Sequence, residues 1–132
     1  MSKIVFSVTS PIDYDATIER VTEALKSEGF GVLTTIDVAA TLKNKLGVEH
    51  KPYVILGACN PNYAHQALQA VPDIGALLPC NVVVREEDDG RVSVVFMDPE
   101  SVLGLIADPT VEKVGHEVAE KLHRVAEAVA KA

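Results

Sequence analysis

Residues 82–96, with the sequence VVVREEDDGRVSVVF, decide the fold of this chain. Two runs of β-branched and aromatic residues flank an Asp89-Gly90 pair, and glycine tolerates the positive φ that tight hairpin turns require. The pattern predicts a fourth strand over 81–86, an acidic turn, and a fifth strand over 92–96 that pairs antiparallel with the fourth. A chain whose consecutive strands form hairpins favours an antiparallel sheet over a doubly wound parallel one.

The segments before this hairpin alternate between strand and helix patterns. Apolar residues occupy every second position of residues 3–9, which indicates a strand with one buried face. From Asp13 the apolar spacing becomes three to four residues, which is typical of an amphipathic helix, and Gly29 suits its C-terminal cap. The next predicted elements are a second strand over 30–38, a short helix over 39–46 that ends at Gly47, a third strand over 53–58 and a helix over 61–70.

The third strand differs from the others because its apolar residues do not alternate with polar ones. The run Tyr53-Val54-Ile55-Leu56-Gly57-Ala58 is apolar throughout. Such a run favours a central strand covered on both faces, or a strand with one face packed by a partner subunit. This run is the only basis in the sequence for expecting a homodimer.

The end of the chain is predicted to be helical. We expect a loop through Pro72 and Gly75, a short helical turn near 101–105, and a long helix whose apolar positions have a mean spacing of about 3.6 residues. Those positions are Val111, Val114, Val118, Leu122, Val125 and Val129. We therefore predict one α+β domain over 1–132, in which helices pack on an antiparallel sheet of about five strands, in the order β-α-β-β-(α)-β-β-α.

Composition and charge exclude several classes of partner. Nineteen acidic and twelve basic side chains give a net charge of −7, which repels phosphate backbones and anionic lipids. We therefore expect no nucleic-acid partner and no membrane. The apolar runs are far shorter than the roughly 20 residues that cross a bilayer, and the N-terminus lacks a signal-peptide pattern. These features predict a cytoplasmic location, where two cysteines remain thiols.

The segment Gly57-Ala58-Cys59-Asn60-Pro61 is the best candidate site because it places Cys59 between a strand and a helix. Backbone N–H groups at a helix start stabilise a thiolate and lower its pKa. A structural interpretation competes with this one. Asn is a preferred N-cap and Pro favours the first helical position, and a free cysteine is often only a small buried hydrophobe.

A second cysteine strengthens the candidate site. If the third and fourth strands pair antiparallel, Cys80 in Pro79-Cys80-Asn81 becomes a neighbour of Cys59. Adjacent thiols form a reversible disulfide or bind a soft metal ion such as Cu(I) or Zn²⁺. His65 on the following helix is a candidate additional ligand, although an exposed surface position is the more common role for such a residue. Two further predicted site residues, Tyr63 and Asn81, would line a polar pocket beside the thiols.

Several sequence blocks together cover most of the chain: Gly29-Phe30-Gly31-Val32, Ile36-Asp37, Leu56-Gly57-Ala58-Cys59-Asn60-Pro61, Ala64 with Ala67-Leu68, Pro72-Asp73-Ile74-Gly75, Leu78-Pro79-Cys80-Asn81 and Asp98-Pro99. In these blocks the chain resembles the bacterial and archaeal family catalogued as domain of unknown function 302. The resemblance implies a compact α+β fold similar to the sheet-and-helix arrangement of the TATA-box-binding protein. It does not imply DNA binding, since fold does not determine function and the negative charge opposes it. It assigns no catalytic residue, metal or cofactor.

Three functions are consistent with these observations. The first is a module that binds a small molecule or a soft metal ion at the two cysteine blocks. The second is a homodimeric interaction domain with structural cysteines, which uses the sheet or the terminal helix as its dimer surface. The third is a thiol redox protein in which Cys59 is the nucleophile and Cys80 the resolving thiol.

Overall fold

The computed structural model describes residues 4–132 and has five strands and five α-helices in that range. The strands are β1 (Val5–Ser10), β2 (Gly31–Asp37), β3 (Tyr53–Cys59), β4 (Cys80–Glu86) and β5 (Val92–Met97). The helices are α1 (Tyr14–Ser27), α2 (Val38–Leu46), α3 (Pro61–Ala70), α4 (Pro99–Leu103) and α5 (Pro109–Ala130). Lys3, which begins the predicted first strand, lies outside the described residues.

The predicted antiparallel sheet is confirmed. Its strand order is β1-β5-β4-β3-β2, and every neighbouring pair runs antiparallel. The β4–β5 hairpin pairs Val82 with Phe96 and Val84 with Val94, and Gly90 in its turn has a φ of 88°. The finer expectation, an arrangement like that of the TATA-box-binding protein, stays a prediction.

The helices α1 and α5 cover one face of the sheet and form the core with it. Alternate residues of β4 and β5 point into this core, and Phe96, Val82 and Val94 are fully buried. From the other side α1 contributes Val21 and Leu25, and α5 contributes its predicted apolar stripe: Val111, Val114, Val118, Leu122, Val125 and Val129. The apolar residues that recur every second position in the strands and every 3.6 positions in the helices therefore pack against each other in one core.

Several element ends follow the predicted capping chemistry. The Asp13 carboxylate accepts a hydrogen bond from the Ala16 N–H at the start of α1, and Gly29 follows the end of α1 with a φ of 86°. Gly47 caps α2 in the left-handed region. One segment differs from its prediction, because residues 72–77 form a 3₁₀ helix where the Pro72 and Gly75 signals predict only a loop.

The strand β3 is an interior strand, which lies between the middle strand β4 and the edge strand β2. Val54, Leu56 and Ala58 face the helices and are buried, whereas Tyr53 and Ile55 on the other face are only half-buried. Coverage of both faces, the first alternative that the apolar run predicts, is therefore only partial within this chain. The alternative, in which a partner subunit packs on the second face, stays a prediction.

Candidate functional site

Antiparallel pairing brings the two predicted thiols to one corner of the sheet. The strand β3 ends at Cys59 and β4 begins at Cys80, and the register pairs Cys80 with Ala58, the residue before Cys59. Both cysteines are free thiols, of which Cys80 is buried and Cys59 is half-buried. The sequence argument that made these two residues neighbours depended only on the direction of β3 and β4.

Both thiols line a small apolar cavity of about 30 Å³. This volume holds about two water molecules. The cavity lies between the β3–β4 corner and the helices α3, α4 and α5. Its walls are formed by Phe30, Ala58, Cys59, Asn60, Tyr63, Ala64, Ala67, Leu78, Pro79, Cys80, Leu103, Val114 and Val118. We call this space the thiol cavity.

The apolar surroundings keep both thiols protonated at neutral pH. Burial raises the pKa of the Cys59 thiol above its ordinary value. Burial, with a smaller contribution from the Cys59 thiolate, raises the pKa of Cys80 to about 12. The lowered Cys59 pKa that the helix start predicts is therefore opposed by desolvation of the thiol.

Asn60 lies at the opening of the thiol cavity and holds two parts of the chain together. It occupies the N-cap position of α3, but its side chain makes no capping hydrogen bond. Instead its Nδ2 donates to the backbone carbonyl of Glu28 at 3.3 Å. A Cβ atom at Gly29 would lie 3.1 Å from Asn60 Nδ2, so the absence of a side chain there leaves room for this amide. Asn60 is thus more than the start of a helix.

A polar cleft of about 790 Å³ adjoins the thiol cavity and shares Asn60 and Tyr63 with it. Tyr63 donates a hydrogen bond from its hydroxyl to Glu117 Oε1 at 3.1 Å, and burial together with this carboxylate raises the pKa of Tyr63. Most of the other residues that line the cleft have charged or amide side chains. They are Glu28, Gly29, Pro61, Asn62, Gln66, Lys113, Glu117 and Lys121. We call this space the polar cleft.

An ion pair fixes the edge of the polar cleft where α1 ends. The Arg124 guanidinium donates to Glu28 Oε1 from Nη2 at 2.9 Å and from Nε at 3.2 Å. These hydrogen bonds lower the pKa of the Glu28 carboxyl. Arg124 neutralises Glu28 and Lys113 lies 3.9 Å from Glu117, so Lys121 supplies the remaining positive charge of the cleft.

The predicted site residues separate into two groups in the structure. Cys59, Asn60, Tyr63, Pro79 and Cys80 line the thiol cavity together, and Pro61 lies in the adjoining cleft. His65 and Asn81 are exposed and line neither space. Asn81 alternates with the buried Cys80 and therefore lies on the sheet face away from the helices.

Gly57 positions Pro79 at the wall of the thiol cavity. A Cβ atom at Gly57 would lie 2.3 Å from Thr34 Oγ1 and 2.9 Å from Pro79 Cγ. Both separations are shorter than the van der Waals contact between such atoms. Only glycine therefore lets Pro79 and Thr34 lie against β3 at this point, which also explains why Gly57 is buried on the otherwise open face.

Some cavity and cleft residues carry no signal that sequence analysis detects. Phe30, Leu78 and Leu103 read as ordinary core positions, and they become cavity walls only when separate segments fold together. Lys113 and Lys121 read as solvent-exposed residues of an amphipathic helix. Among residues 4–132, no three His, Cys, Asp or Glu side chains come close enough together to hold a metal ion.

Over residues 6–129 the sequence matches the family described as domain of unknown function DUF302. The chain belongs to this family. A solved DUF302 protein from Bacillus stearothermophilus superposes with a TM-score of 0.88 at 31% identity, and the match covers 96% of this chain and 98% of that one. The resemblance and the α+β fold predicted from the sequence are both confirmed.

A protein from Aquifex aeolicus, described as uncharacterized, is 36% identical to this DUF302 chain over 59 residues. That match covers 43% of this chain and 41% of the Aquifex protein, so it spans less than half of the relative's length. No helix within residues 4–132 of the DUF302 chain is long and apolar enough to span a membrane.

Proposed function

We propose that this chain is a binding module for a small molecule or a soft metal ion, with the thiol cavity as its site. The observation that carries the proposal is that two free thiols from different strands line one apolar cavity, and that this cavity adjoins a polar cleft. Binding sites generally combine an apolar concave surface with a few polar groups that fix orientation. The two adjoining spaces supply both parts.

The size of each space limits the ligand. A cavity of about 30 Å³ admits a single metal ion or a group of very few atoms. A larger molecule would place one small, polarizable group beside the thiols and the rest in the polar cleft. There the amides of Asn62 and Gln66 and the ammonium group of Lys121 are available to a polar or anionic portion, whereas Lys113 Nζ lies 3.9 Å from Glu117 Oε2.

The donor set favours a thiophilic metal ion over zinc. A closed structural zinc site requires four ligands. The thiol cavity offers two sulfur atoms, and within the described range no histidine or carboxylate lies close enough to act as a third ligand. Thiolates select Cu(I), which tolerates fewer ligands. Because both thiols are protonated at neutral pH, metal binding would release protons and would strengthen as pH rises.

The proposal is tested by native mass spectrometry of anaerobically purified protein. We expect a bound mass that is retained by the wild type, or that is restored by adding Cu(I). The double variant Cys59→Ala/Cys80→Ala removes both sulfur atoms and adds no buried hydroxyl, and we expect it to lose a bound metal. Wild-type protein that remains free of any bound mass and binds no Cu(I) would contradict the soft-metal form.

A pair of further variants separates the metal from the small molecule. Ala64→Leu fills the cavity but keeps both thiols, so it should abolish binding of an organic group that needs the space. His65→Ala alters the next residue, which is exposed and outside the cavity, and it serves as the matched control. Equal retention of an organic ligand by Ala64→Leu and His65→Ala would place that ligand outside the thiol cavity, whereas a metal ion held by the two thiols should be retained by both variants.

The redox alternative receives less support from the geometry. A nucleophilic cysteine requires a substantial thiolate fraction, whereas burial raises the pKa of both Cys59 and Cys80. The alternative with structural cysteines and a homodimer concerns a different surface and is compatible with an occupied cavity. A cytoplasmic location belongs to the same proposal, because two free thiols near each other persist in a reducing compartment.

A further inference from the structure

The segment formed by residues 31–48, which we call the β2–α2 edge, contains a helix without a buried residue. None of the nine residues of α2 is buried. Isolated helices shorter than about 12 residues are marginal in water, and most helical stability in proteins comes from packing of an apolar face. Leu46 on α2 is nevertheless 69% exposed. Within this chain, α2 contacts β3 and β2, but its apolar residues Val38, Ala39 and Leu42 are no more than half-buried there, so its apolar side is covered only in part.

The strand beside this helix is equally open. β2 is the last strand of the sheet, and all but one of its residues are exposed, including Leu33 at 67% and Ile36 at 49%. A β-bulge at Leu33 interrupts the pairing with β3, and residues 34–37 continue it regularly toward α2. Edge strands usually carry a lysine, a proline or a cover that prevents association. β2 has neither a lysine nor a proline, and only its bulge and the terminal Asp37 oppose association.

The charge of the β2–α2 edge permits contact between two copies of this acidic chain. Asp37, Lys43 and Lys45 give residues 31–48 a net charge of +1, and the adjoining Glu49, which forms an ion pair with Lys43, makes this patch neutral within a chain of net charge −7. Two copies that approach through any strongly acidic surface repel each other. The β2–α2 edge allows close approach without that cost.

The opposite edge of the sheet shows what a covered edge looks like in this fold. The strand β1 directs Phe6 toward the core, where its ring stacks on Phe96 at 5.1 Å and on His123 of α5 at 4.0 Å between centroids. The helix α5 therefore covers β1. No helix covers β2 in the same way, since α2 continues beyond the end of β2 and has no buried residue.

We propose that the β2–α2 edge is a homodimer surface, on which the same edge of a second copy packs about a two-fold axis. Antiparallel strands related by a two-fold axis present the same residues to each other, so Ile36 and Leu46 would be buried in both copies. β2 contributes seven residues and α2 contributes nine. A standard interface uses roughly 20–30 residues on each side, so this one is small and its Kd should lie in the micromolar range.

Sedimentation equilibrium tests the proposal on the full chain under reducing conditions at about 0.15 M salt. We expect the wild type to pass from monomer to dimer between about 1 µM and 300 µM. The double variant Ile36→Lys/Leu46→Lys places two charges in each copy of the proposed interface. We expect it to raise the dimer Kd at least about tenfold. Leu46→Lys alone should produce a smaller increase, and it keeps the test valid if the double variant folds poorly.

The matched control is Leu68→Lys/Leu105→Lys, which adds the same charge at two exposed leucines outside the β2–α2 edge. This control should dimerise like the wild type, and circular dichroism should show equal helix content in all variants. A wild type that stays monomeric throughout this concentration range would overturn the proposal. Equal weakening in the edge and control variants, or in neither, would overturn it as well.

Discussion

The thiol cavity and the β2–α2 edge lie on opposite sides of β3, yet they differ in how the chain surrounds them. At the cavity, Ala58 and Cys80 are 0% and 6% exposed because α3, α4 and α5 converge there. At the edge, Leu46 is 69% exposed and α2 has no buried residue. Burial at the cavity is thus produced by segments that are distant in sequence. The edge is formed by one continuous segment, and its side chains remain exposed to solvent. Two leucines ten residues apart provide the first test of this difference.

Leu56→Ala should lower the free energy of unfolding far more than Leu46→Ala does. Leu56 is 1% exposed, so its truncation leaves a cavity and should lower the free energy of unfolding by about 2–5 kcal/mol. Leu46→Ala should change it by no more than about 0.5 kcal/mol in dilute monomer. Urea unfolding at low protein concentration measures both. Similar losses of unfolding free energy for the two variants would mean that the Leu46 side chain packs on its own chain.

Gly57→Ala should cause the next largest loss, because its Cβ atom would lie 2.9 Å from Pro79 Cγ and closer still to Thr34. Overpacking of this kind costs about 1–3 kcal/mol. Gly31→Ala is the matched control in the neighbouring strand, since its Cβ atom would meet nothing within 4 Å. Thermal unfolding of the two variants checks this expectation. A Gly57→Ala variant as stable as Gly31→Ala would show that Pro79 moves freely.

The two cysteines should respond unequally to serine. Cys80→Ser places a hydroxyl in apolar surroundings and should destabilise the fold by about 1–3 kcal/mol. Cys59 is only half-buried, so Cys59→Ser should cost less than about 1 kcal/mol because its hydroxyl reaches solvent. Denaturant unfolding of both variants tests this order. The reverse order would contradict the placement of Cys80 as the inner thiol.

The smallest expected effect is a loss of stability in alkali. The folded protein holds the Cys80 proton up to about pH 12, whereas an unfolded thiol releases it near the ordinary value of 9.0. Above pH 9 the unfolded state therefore binds fewer protons, and stability should fall as pH rises. Cys80→Ala should remove this part of the decline, which begins near pH 9 and continues toward pH 12. Identical pH profiles would show that Cys80 titrates normally.

The reactivity of the thiols gives an independent measure of the same pKa shifts. Alkylation of the native protein by iodoacetamide at pH 7.5 should modify Cys59 slowly and leave Cys80 unmodified. Both should react readily once the protein is denatured. Peptide mass mapping identifies the modified residue. Fast labelling of native Cys59 at neutral pH would instead favour the redox alternative.

The regular elements were predictable because their signals are local. The Asp89-Gly90 turn determined the β4–β5 hairpin, and the spacing of Val111 through Val129 determined α5. The proximity of Cys59 and Cys80 followed from strand direction alone. The 3₁₀ helix over Pro72–Leu77 was missed because proline and glycine in so short a segment look like a loop.

The site could be predicted only in part because its walls come from separate segments. His65 was proposed as a ligand from its nearness in sequence to Cys59. The helical phase of α3 instead turns Ala64 and Ala67 toward the cavity and leaves His65 exposed. Leu103 and Val118 reach the cavity through tertiary packing, which leaves no local pattern. The polar cleft likewise depends on how α3 and α5 meet.

The narrowness of the thiol cavity has a consequence for the rate at which it fills. Its volume of about 30 Å³ admits no organic ligand of ordinary size unless a wall such as α3 first moves outward. Such opening occurs in microseconds to milliseconds or more slowly, and it does not depend on ligand concentration. Association with a small molecule should then reach a plateau rate at high concentration, whereas a single metal ion enters without that delay.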